Sequence, residues 1–484
     1  MKKNLFFAFL LAGAMGFVAC GGDDVEGTGN EDKPGNGGNT EIPIIPDQNA
    51  VEISNNGFED AVEVDGQWSI KDWTINRNYG PRANNQKASV SIVDGAGRNN
   101  TRALKIQQLP SNGKCCVVLE RELTGLEPDM MYRMTASLRY SDIPNNEGYG
   151  PVLFSPNTKQ YWNSSKYFYG TELENWTTTY VDFLTDDNGK AKICIGLGFW
   201  QGGAANGGFS TGTVYWDHVT VTKVTTQMYM RESEHMRVWF EPGLMSTSSA
   251  VIDEWLSKVD KMYESYAELM GDVPHEGRKL GIMTTRGMYA GYWALAGYPI
   301  LWGANGNGPA STFPQLAEGT MSFGLMHELG HVFNHVGSSN WNWNDEMFAN
   351  FRMQYGLEMN DFSVMQRGAK DEKEKVYTGR EILDMYKQDY ENTLNNPGGM
   401  NDNAVHYVLG RMAGDEYLGW EVFCATFKRL QQNGYSGNSN GWYKFQNFIN
   451  TLSVCATEIK GREIDAWQYI NSTEKESIKR KWQY

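Results

Sequence analysis

The stretch that decides the fold of this chain is Met326-His327-Glu328-Leu329-Gly330-His331-Val332-Phe333-Asn334, an H-E-x-x-H sequence inside an apolar run. Four residues are slightly more than one helical turn, so His327 and His331 project from the same helix face. Two imidazoles placed in this way can hold a zinc ion, and Glu328 can accept a proton from the water that the metal activates. Burial of these polar groups is costly unless something pairs with them. The sequence therefore predicts a zinc site, with Glu328 as the general base.

A catalytic zinc site needs a third protein ligand and leaves one position open for water. One class of zinc peptidases, the metzincins, would place Gly at position 334 and His at position 337, where this chain has Asn334 and Gly337. That class is excluded. The other class takes a glutamate from a second helix, and Glu346 lies fifteen positions after His331, at the start of a new helical run. Glu346 is the predicted third ligand.

Two other residues compete with this assignment. Asp345 would lie about 100° around the helix from Glu346. Glu346 is preferred because Phe348 and Ala349, which follow it, are residues of the buried type. His335 continues the histidine stripe one turn beyond the motif, too far along the helix axis to bind the same ion, and we interpret it as a structural histidine.

The block at 323–355 resembles the gluzincins, and it looks most like the enhancin-like, mucin-degrading metallopeptidases. It contains H-E-L-G-H, a tryptophan-containing turn and then N-D-E-M-F-A-N-F-x-x-x-Y, and the upstream A-G-Y-P-I at 296–300 is also similar to that family. The resemblance covers about 235–470. It implies a mainly α (α+β) gluzincin metallopeptidase domain, predicted at 230–484, that binds one catalytic zinc ion and cleaves peptides or glycoproteins such as mucins.

Two alternatives to an endopeptidase are compatible with these residues. Aminopeptidase-type gluzincins share the motif of the second helix, which D-E-M-F-A at 345–349 partly matches. An aminopeptidase-like enzyme is therefore one alternative to an endopeptidase. A glycan-binding surface lipoprotein with an inactive peptidase-like domain is the other.

The family also implies where a substrate would lie. Gluzincins hold an extended substrate along an edge strand that precedes the metal helix. The candidate edge in this chain is the segment at 301–305, in which Trp302, Gly303 and Asn305 are the predicted substrate contacts.

Peptide hydrolysis passes through a tetrahedral oxyanion, which a Tyr or His donor commonly stabilises beside the metal. A predicted helix at 403–418 carries His406 and Tyr407, downstream of the third ligand. These two residues are the candidate oxyanion donors, and for each of them alone a packing role is the favoured alternative.

The first 19 residues are predicted to be a lipoprotein signal peptide. Lys2 and Lys3 precede an apolar run at 5–18, and F-V-A-C-G at 17–21 is similar to a bacterial lipoprotein cleavage box. Cys20 would then become the lipidated first residue. Residues 20–48 are polar and rich in Gly and Asn, which predicts a flexible tether. These features predict an exported protein that is lipid-anchored to the outer membrane or cell surface of a bacterium.

Composition restricts the partners and the redox state. A formal net charge of −15 without a basic run argues against nucleic-acid binding. The five cysteines after Cys20 are odd in number and include one adjacent pair, which is not a disulfide framework. A single Cys424–Cys455 bridge and buried free thiols are both compatible with the sequence.

The region at 50–225 has the pattern of an all-β domain. Short segments rich in β-branched and aromatic residues alternate with Gly, Asn, Pro and Asp turns, which predicts a jelly-roll sandwich. N-N-G-F-E at 55–59 and V-Y-W-D-H-V at 214–219 resemble the ends of jelly-roll carbohydrate-binding modules. This resemblance implies a structural calcium ion held by Glu59 and Asp217.

Aromatic side chains in this β-domain are candidate sugar contacts, because the flat C–H faces of sugar rings stack on aromatic rings. Tyr161, Trp162 and Trp200 lie in or beside polar loops rich in Gly or Asn. They are the predicted glycan contacts, and carbohydrate is a predicted partner of the protein.

Overall fold

The computed structural model describes residues 50–78, 84–144, 150–156, 164–198, 209–224, 230–240, 248–285, 294–303, 312, 316–335, 339–366 and 375–483. Several predicted features lie outside these described residues: the signal peptide at 1–19, the tether at 20–48 with Cys20, and Tyr161, Trp162, Trp200 and Asn305. No helix in the described part of the chain is long and apolar enough to cross a membrane.

Two antiparallel sheets form the N-terminal region. The strands are β1 (Ala50–Val51), β2 (Ala61–Val64), β3 (Gln67–Ile70), β4 (Thr74–Asn76), β5 (Ser89–Val93), β6 (Ala103–Gln108), β7 (Val117–Leu123), β8 (Met131–Ile143), β9 (Pro151–Phe154), β10 (Gly170–Leu184), β11 (Ala191–Leu197) and β12 (Gly212–Lys223). The larger sheet has the order β10-β8-β12-β6-β5, with β1 beside β12, and the smaller has the order β4-β7-β11-β9. A separate hairpin pairs β2 with β3.

The two sheets pack face to face because their strands alternate apolar and polar residues. On β8, Met134 and Leu138 point into the shared core, whereas Thr135 and Arg139 lie on the opposite face. Trp216 on β12 is completely buried between the sheets. We refer to this region as the sandwich.

The C-terminal region combines helices with a five-stranded mixed sheet. Its strands are β13 (Met230–Glu232), β14 (Met236–Trp239), β15 (Leu280–Thr285), β16 (Ala294–Leu295), β17 (Ile300–Gly303), β18 (Met321–Ser322), β19 (Ser363–Gln366) and β20 (Lys375–Thr378). The five-stranded sheet has the order β13-β14-β15-β17-β16, in which β14, β15 and β17 are parallel. The last three strands form a small separate sheet.

Eight α-helices lie in the described part of this region: α1 (Ser249–Met270), α2 (Phe323–Val332), α3 (Asp345–Asn360), α4 (Ile382–Thr393), α5 (Asp402–Met412), α6 (Trp420–Asn433), α7 (Gly441–Lys460) and α8 (Ser472–Trp482). The prediction of a β-rich N-terminal region and a mainly helical C-terminal region is thus confirmed, while the jelly-roll arrangement of the strands stays a prediction. Cys424 and Cys455 are free thiols, so the bridge between them does not form.

Helices α2 and α3 approach each other unusually closely at Gly330. A Cβ atom added to Gly330 would lie 2.6 Å from the carbonyl oxygen and 2.9 Å from the Cα of Ala349 on α3. These are backbone atoms, which cannot move aside as the end of a flexible side chain can. Only glycine therefore permits the spacing between these two helices.

We predict that Gly330→Ala destabilises the protein. Overpacking against backbone costs about 1–3 kcal/mol, which exceeds the gain of up to about 1 kcal/mol that alanine brings to a helix interior. Thermal unfolding in a chelating buffer measures the effect. Gly398→Ala is the control, because nothing lies within 4 Å of a Cβ at that position. A Gly330→Ala variant that melts at or above the wild-type temperature would contradict the prediction.

Candidate metal centre

The two histidines of the H-E-x-x-H motif meet on the buried face of α2. The helix begins at Ser322, whose hydroxyl accepts the backbone N–H of Leu325. His327 and His331, one turn apart, are 3% and 8% exposed. Their Nε2 atoms are 2.9 Å apart. The helix thus directs two imidazole nitrogens to one point.

Glu346 joins this pair from the first turn of α3. The helix begins at Asn344, whose side chain accepts the backbone N–H of Met347 at 3.1 Å. The two carboxylate oxygens of Glu346 lie 3.4 Å from His327 Nε2 and 3.5 Å from His331 Nε2. The structure therefore brings together the three residues that the sequence proposes as ligands, from two separate helices.

The geometry of these three donors fits a metal ion. A tetrahedral zinc ion bound about 2.0–2.1 Å from each donor requires donor–donor distances of about 3.3 Å. The two Nε2 atoms are 2.9 Å apart, and they lie 3.4 and 3.5 Å from different oxygens of Glu346, all close to that value. Two imidazoles and one carboxylate are also the donor set of catalytic zinc sites that keep a fourth position open.

The outer nitrogen of each imidazole is already occupied. His327 Nδ1 is 2.6 Å from the amide oxygen of Asn350, and His331 Nδ1 is 2.7 Å from a carboxylate oxygen of Asp345. Both partners offer an oxygen that accepts a hydrogen bond, which favours a proton on each Nδ1 and leaves each Nε2 as the nitrogen that faces Glu346. Positive charge between the two Nε2 atoms and the Glu346 carboxylate, from a metal ion or from protonated imidazole, stabilises this arrangement.

These contacts also distinguish the positions of the two neighbouring carboxylates, Asp345 and Glu346, relative to the Nε2 atoms. Asp345 orients His331 from behind, and its carboxylate contacts Nδ1 rather than the point where the Nε2 atoms meet. Glu346 contacts both Nε2 atoms. Asp345 is thus placed as the partner that fixes the imidazole ring, the role that carboxylates commonly have behind metal-bound histidines.

Arg352 supports Asp345 from inside the protein. Its guanidinium is fully buried, donates to the carbonyl of Gly330 at 2.9 Å and lies 3.6 Å from the Asp345 carboxylate. Burial lowers the pKa of Arg352, and the charge of Asp345 opposes that shift. One buried cation therefore links α2 to α3 and balances the carboxylate behind His331.

Glu328 lies on the same helix and is also buried. Burial raises the pKa of its carboxyl group above the ordinary value, although the adjacent His327 and His331 lower it. The carboxylate also accepts the backbone N–H of Ala296, which favours its charged form. A carboxylate beside the ligands, with a raised pKa, suits a group that must both accept and release a proton.

A second group of possible ligands, Glu234, His235 and Glu264, differs in its setting. Its ligand atoms also lie within 4.8 Å of one another, but both glutamates are largely exposed. The imidazole of His235 stacks on Tyr263 at 4.4 Å. Solvent satisfies such carboxylates without a metal ion, so the buried group at His327 is the better candidate.

The two candidate oxyanion donors have other contacts. His406 is buried, with Nε2 2.8 Å from the amide oxygen of Gln354, and burial lowers its pKa to about 3. Tyr407 packs against Tyr390 with ring centroids 4.9 Å apart. Among the contacts described, neither side chain touches the three predicted ligands, and the chemistry proposed below does not use them.

The predicted substrate edge requires a correction. β17 is not at the edge of its sheet, because it pairs with β15 on one side and β16 on the other. Trp302 is completely buried against Phe240 and Trp255, and Gly303 lies on the same inner strand. The edge was expected from the family resemblance, which places a strand before the metal helix but does not give its neighbours in the sheet. In this chain the strand has a partner on each side.

The edge of the described sheet on this side is β16. Within the described residues it is two residues long and pairs with β17 alone. Ala296, immediately after it, donates its backbone N–H to Glu328. Sequence analysis missed this segment, because two residues are too few to show a strand pattern.

Glu59 and Asp217, the predicted calcium ligands, do come together in the sandwich. A Cβ added to Gly57 would lie 3.3 Å from an oxygen of Asp217 and 3.8 Å from an oxygen of Glu59. Asp217 accepts the backbone N–H of Arg98 at 2.7 Å, and Glu59 accepts that of Arg102 at 2.9 Å. Calcium takes six to eight oxygen ligands, and its binding at these two residues stays a prediction.

Comparisons with known proteins give only distant likenesses. No protein-family model and no curated protein matches the chain. TmCBM61 in complex with β-1,4-galactotriose is 14% identical, with a TM-score of 0.24, over 36% of this chain and 97% of that one. A cyclase from Fischerella sp. TAU is 15% identical, with a TM-score of 0.26, over 37% and 98%.

A match that covers more of the chain is equally distant. A metallopeptidase in complex with Tn antigen is 10% identical, with a TM-score of 0.33, and the match covers 72% of this chain and 66% of that one. Identities and TM-scores this low establish neither a family nor an activity for this chain.

The contacts behind the histidines predict graded losses of metal affinity. Glu346→Ala removes a ligand and should abolish tight zinc binding. Asp345→Ala removes only the partner of His331 and should weaken zinc binding about 10–100-fold. Titration against a chromophoric chelator measures both, and Asp384→Ala, an exposed carboxylate on α4, is the control. Full zinc affinity in Glu346→Ala together with its loss in Asp345→Ala would reverse the assignment.

Proposed function

We propose that this protein is a zinc-dependent peptidase. The observation that carries the proposal is the group of His327, His331 and Glu346, in which the two imidazoles are buried, Glu346 is partly exposed, and each Nδ1 has an oxygen partner. Buried imidazoles beside a carboxylate are costly unless a cation or a proton pairs with them. The adjacent carboxylate of Glu328 can accept and release a proton, so the site has a candidate general base beside its candidate metal ligands.

Zinc bound there would supply a Lewis acid that polarises a carbonyl group and acidifies water. Glu328 would accept the proton of the attacking water and deliver it to the leaving amine. Its burial raises its pKa, which makes the carboxylate a stronger acceptor for the proton of the attacking water. Asp345 and Asn350 keep the two rings oriented throughout, because they bind the nitrogens that face away from the reaction.

β16 is the proposed support for the substrate. It has a strand partner on one side only among the described residues, so its other side can pair with an extended peptide. The Ala296 amide that bonds to Glu328 follows this strand directly. A peptide added to β16 would therefore run past the general base.

The substrate class is proposed on other grounds. The resemblance at 323–355 to the enhancin-like peptidases is what favours glycoproteins such as mucins, and the metal centre itself carries no such preference. The competing proposals are an aminopeptidase-like enzyme and a glycan-binding protein with an inactive peptidase-like domain. The zinc ligands and Glu328 are all present, which favours an active enzyme.

Substitution of Glu328 separates catalysis from binding. Glu328→Gln should leave zinc content and melting temperature close to those of the wild type, because Glu328 is not a ligand. It should lower the rate of glycoprotein cleavage by on the order of a hundredfold or more, because the general base is lost. Cleavage of a heavily O-glycosylated mucin, followed by gel electrophoresis and mass spectrometry of the new termini, measures the rate.

The controls identify the source of activity and the substrate class. Equal cleavage by wild type and Glu328→Gln would assign the activity to a contaminant. No cleavage of any protein by zinc-loaded wild type would favour the binding-protein alternative. Faster cleavage of mucin than of the same mucin after enzymatic deglycosylation would support the glycoprotein preference, and stepwise release of N-terminal residues would support an aminopeptidase.

We also propose that the sandwich binds carbohydrate, through the outer face of its larger sheet. Trp176 on β10 and Tyr215 on β12 are both partly exposed there. The guanidinium of Arg139 lies between them, 5.4 Å and 4.7 Å from the two ring centres. Aromatic rings held in place by a cation on the outer face of a sheet are suited to stack on sugars, and the nearby Lys105 can donate hydrogen bonds.

Binding of immobilised mucin by the inactive Glu328→Gln protein tests this face. Trp176→Ala in that background should weaken binding about fivefold or more, given losses of about 1–3 kcal/mol when a stacking ring is removed. Tyr443→Ala is the control, because Tyr443 is an exposed aromatic residue in the helical region. Loss of binding in Trp200→Ala, with normal binding in Trp176→Ala, would move the sugar site to the loops that the sequence suggests.

A further inference from the structure

The end of the sandwich covers one face of the five-stranded sheet. Along β14, β15 and β17, alternate residues point towards the helices, and the residues between them point the other way. Trp239, Met283 and Leu301 on that second face are almost completely buried, in one apolar cluster with Met131 and Leu184 of the sandwich. Parallel strands are normally covered on both faces. Here the helices cover one face and the sandwich covers the other.

A polar contact reinforces this junction at Asp129, in the turn before β8. Tyr298 donates its hydroxyl to the Asp129 carboxylate at 3.0 Å, and Arg278 lies 3.7 Å from the same carboxylate. Arg237 on β14 donates to the backbone carbonyl of Asp129 at 2.5 Å. Burial, with a further contribution from Asp129, raises the pKa of Tyr298 to about 12, so its hydroxyl remains a donor at neutral pH.

The segment between these contacts leads to the candidate catalytic base. Leu295 on β16 belongs to the apolar cluster at the junction, and Tyr298 is held by Asp129. Ala296 lies between them and donates its N–H to Glu328. The sandwich therefore contacts this segment on both sides of the residue that bonds to the base.

β16 is poorly fixed by its own pairing. Two paired residues on one neighbouring strand provide few hydrogen bonds to offset the entropy lost when a segment is ordered. Short segments of this kind open locally at low free-energy cost unless other contacts hold them. Within the described residues, the sandwich supplies such contacts through Leu295 and Tyr298.

We propose that the sandwich is part of the catalytic unit, with Asp129 as a positioning residue that acts through Tyr298 to hold β16 and Ala296 against Glu328. This inference rests on the proposed peptidase function for its effect on rate. Its structural part, that Asp129 holds β16, can be tested without any activity.

Hydrogen exchange of the full-length, zinc-loaded protein tests the structural part. Asp129→Ala and Tyr298→Phe each remove one member of the bond, and both should speed amide exchange at 294–298 about tenfold or more, the effect expected for loss of a hydrogen bond to a charged group. Asp129→Asn keeps an acceptor oxygen and should restore most of the protection. Exchange in α1 should stay unchanged in all variants.

Tyr140→Phe is the matched control. Tyr140 donates its hydroxyl to the carbonyl of Tyr169 at 2.8 Å within the sandwich, so this variant loses a comparable bond away from the junction. It should leave exchange at 294–298 and the cleavage rate at their wild-type values. Unchanged exchange at 294–298 in Asp129→Ala and Tyr298→Phe would overturn the proposal.

The rate of glycoprotein cleavage tests the catalytic part. Asp129→Ala and Tyr298→Phe should lower kcat severalfold at unchanged zinc content, and Asp129→Asn should recover most of it. Faster exchange at 294–298 with an unchanged kcat would overturn the positioning role. If the zinc-loaded wild type cleaves nothing, the proposed function fails, and exchange alone then decides whether the sandwich holds β16.

Discussion

The constraint on which this structure depends is the meeting of two buried imidazoles and a partly exposed carboxylate at one point between two helices. The Nε2 atoms of His327 and His331 and the carboxylate of Glu346 all lie within 4.8 Å of one another. Polar groups brought this close beside an apolar core need a cation or a proton among them to offset the cost of their desolvation. Asn350 and Asp345 prevent the rings from turning away, because they hold the opposite nitrogens.

The backbone makes this meeting possible. Glu346 reaches the histidines only because α3 lies against α2, and that distance is set where Gly330 meets Ala349. Arg352 then crosses the same contact, bonding to the Gly330 carbonyl and approaching Asp345. Burial of an arginine is costly, but a nearby carboxylate and a carbonyl acceptor offset much of that cost. Helix spacing, charge balance and ring orientation are therefore parts of a single arrangement.

The sequence predicts the parts of the site that follow helical periodicity. His327 and His331 are one turn apart, and Asn350, one turn after Glu346, could have been found by the same rule. Trp302 lies on a strand, where helical periodicity gives no information. The local sequence does not reveal that this strand is covered on both faces. His406 shows a second limit, since periodicity places it on a helix but does not say which neighbouring helix that face meets. β16 is too short to show the alternation of apolar and polar residues that predicts a strand.

The sandwich has two surfaces with separate physical roles. One end of the sandwich, where β8 begins at Met131, covers the five-stranded sheet. The outer face of the larger sheet, which we call the aromatic face, includes the middle of the same strand. Arg139 lies there, eight residues after Met131, or about 27 Å away at 3.4 Å per residue. Apolar burial at one surface and the proposed sugar stacking at the other do not compete for the same side chains. The sandwich would still be needed to bury Trp239 and Met283 if it bound no sugar. Substitutions at the junction are therefore expected to destabilise the protein even where substitutions on the aromatic face do not.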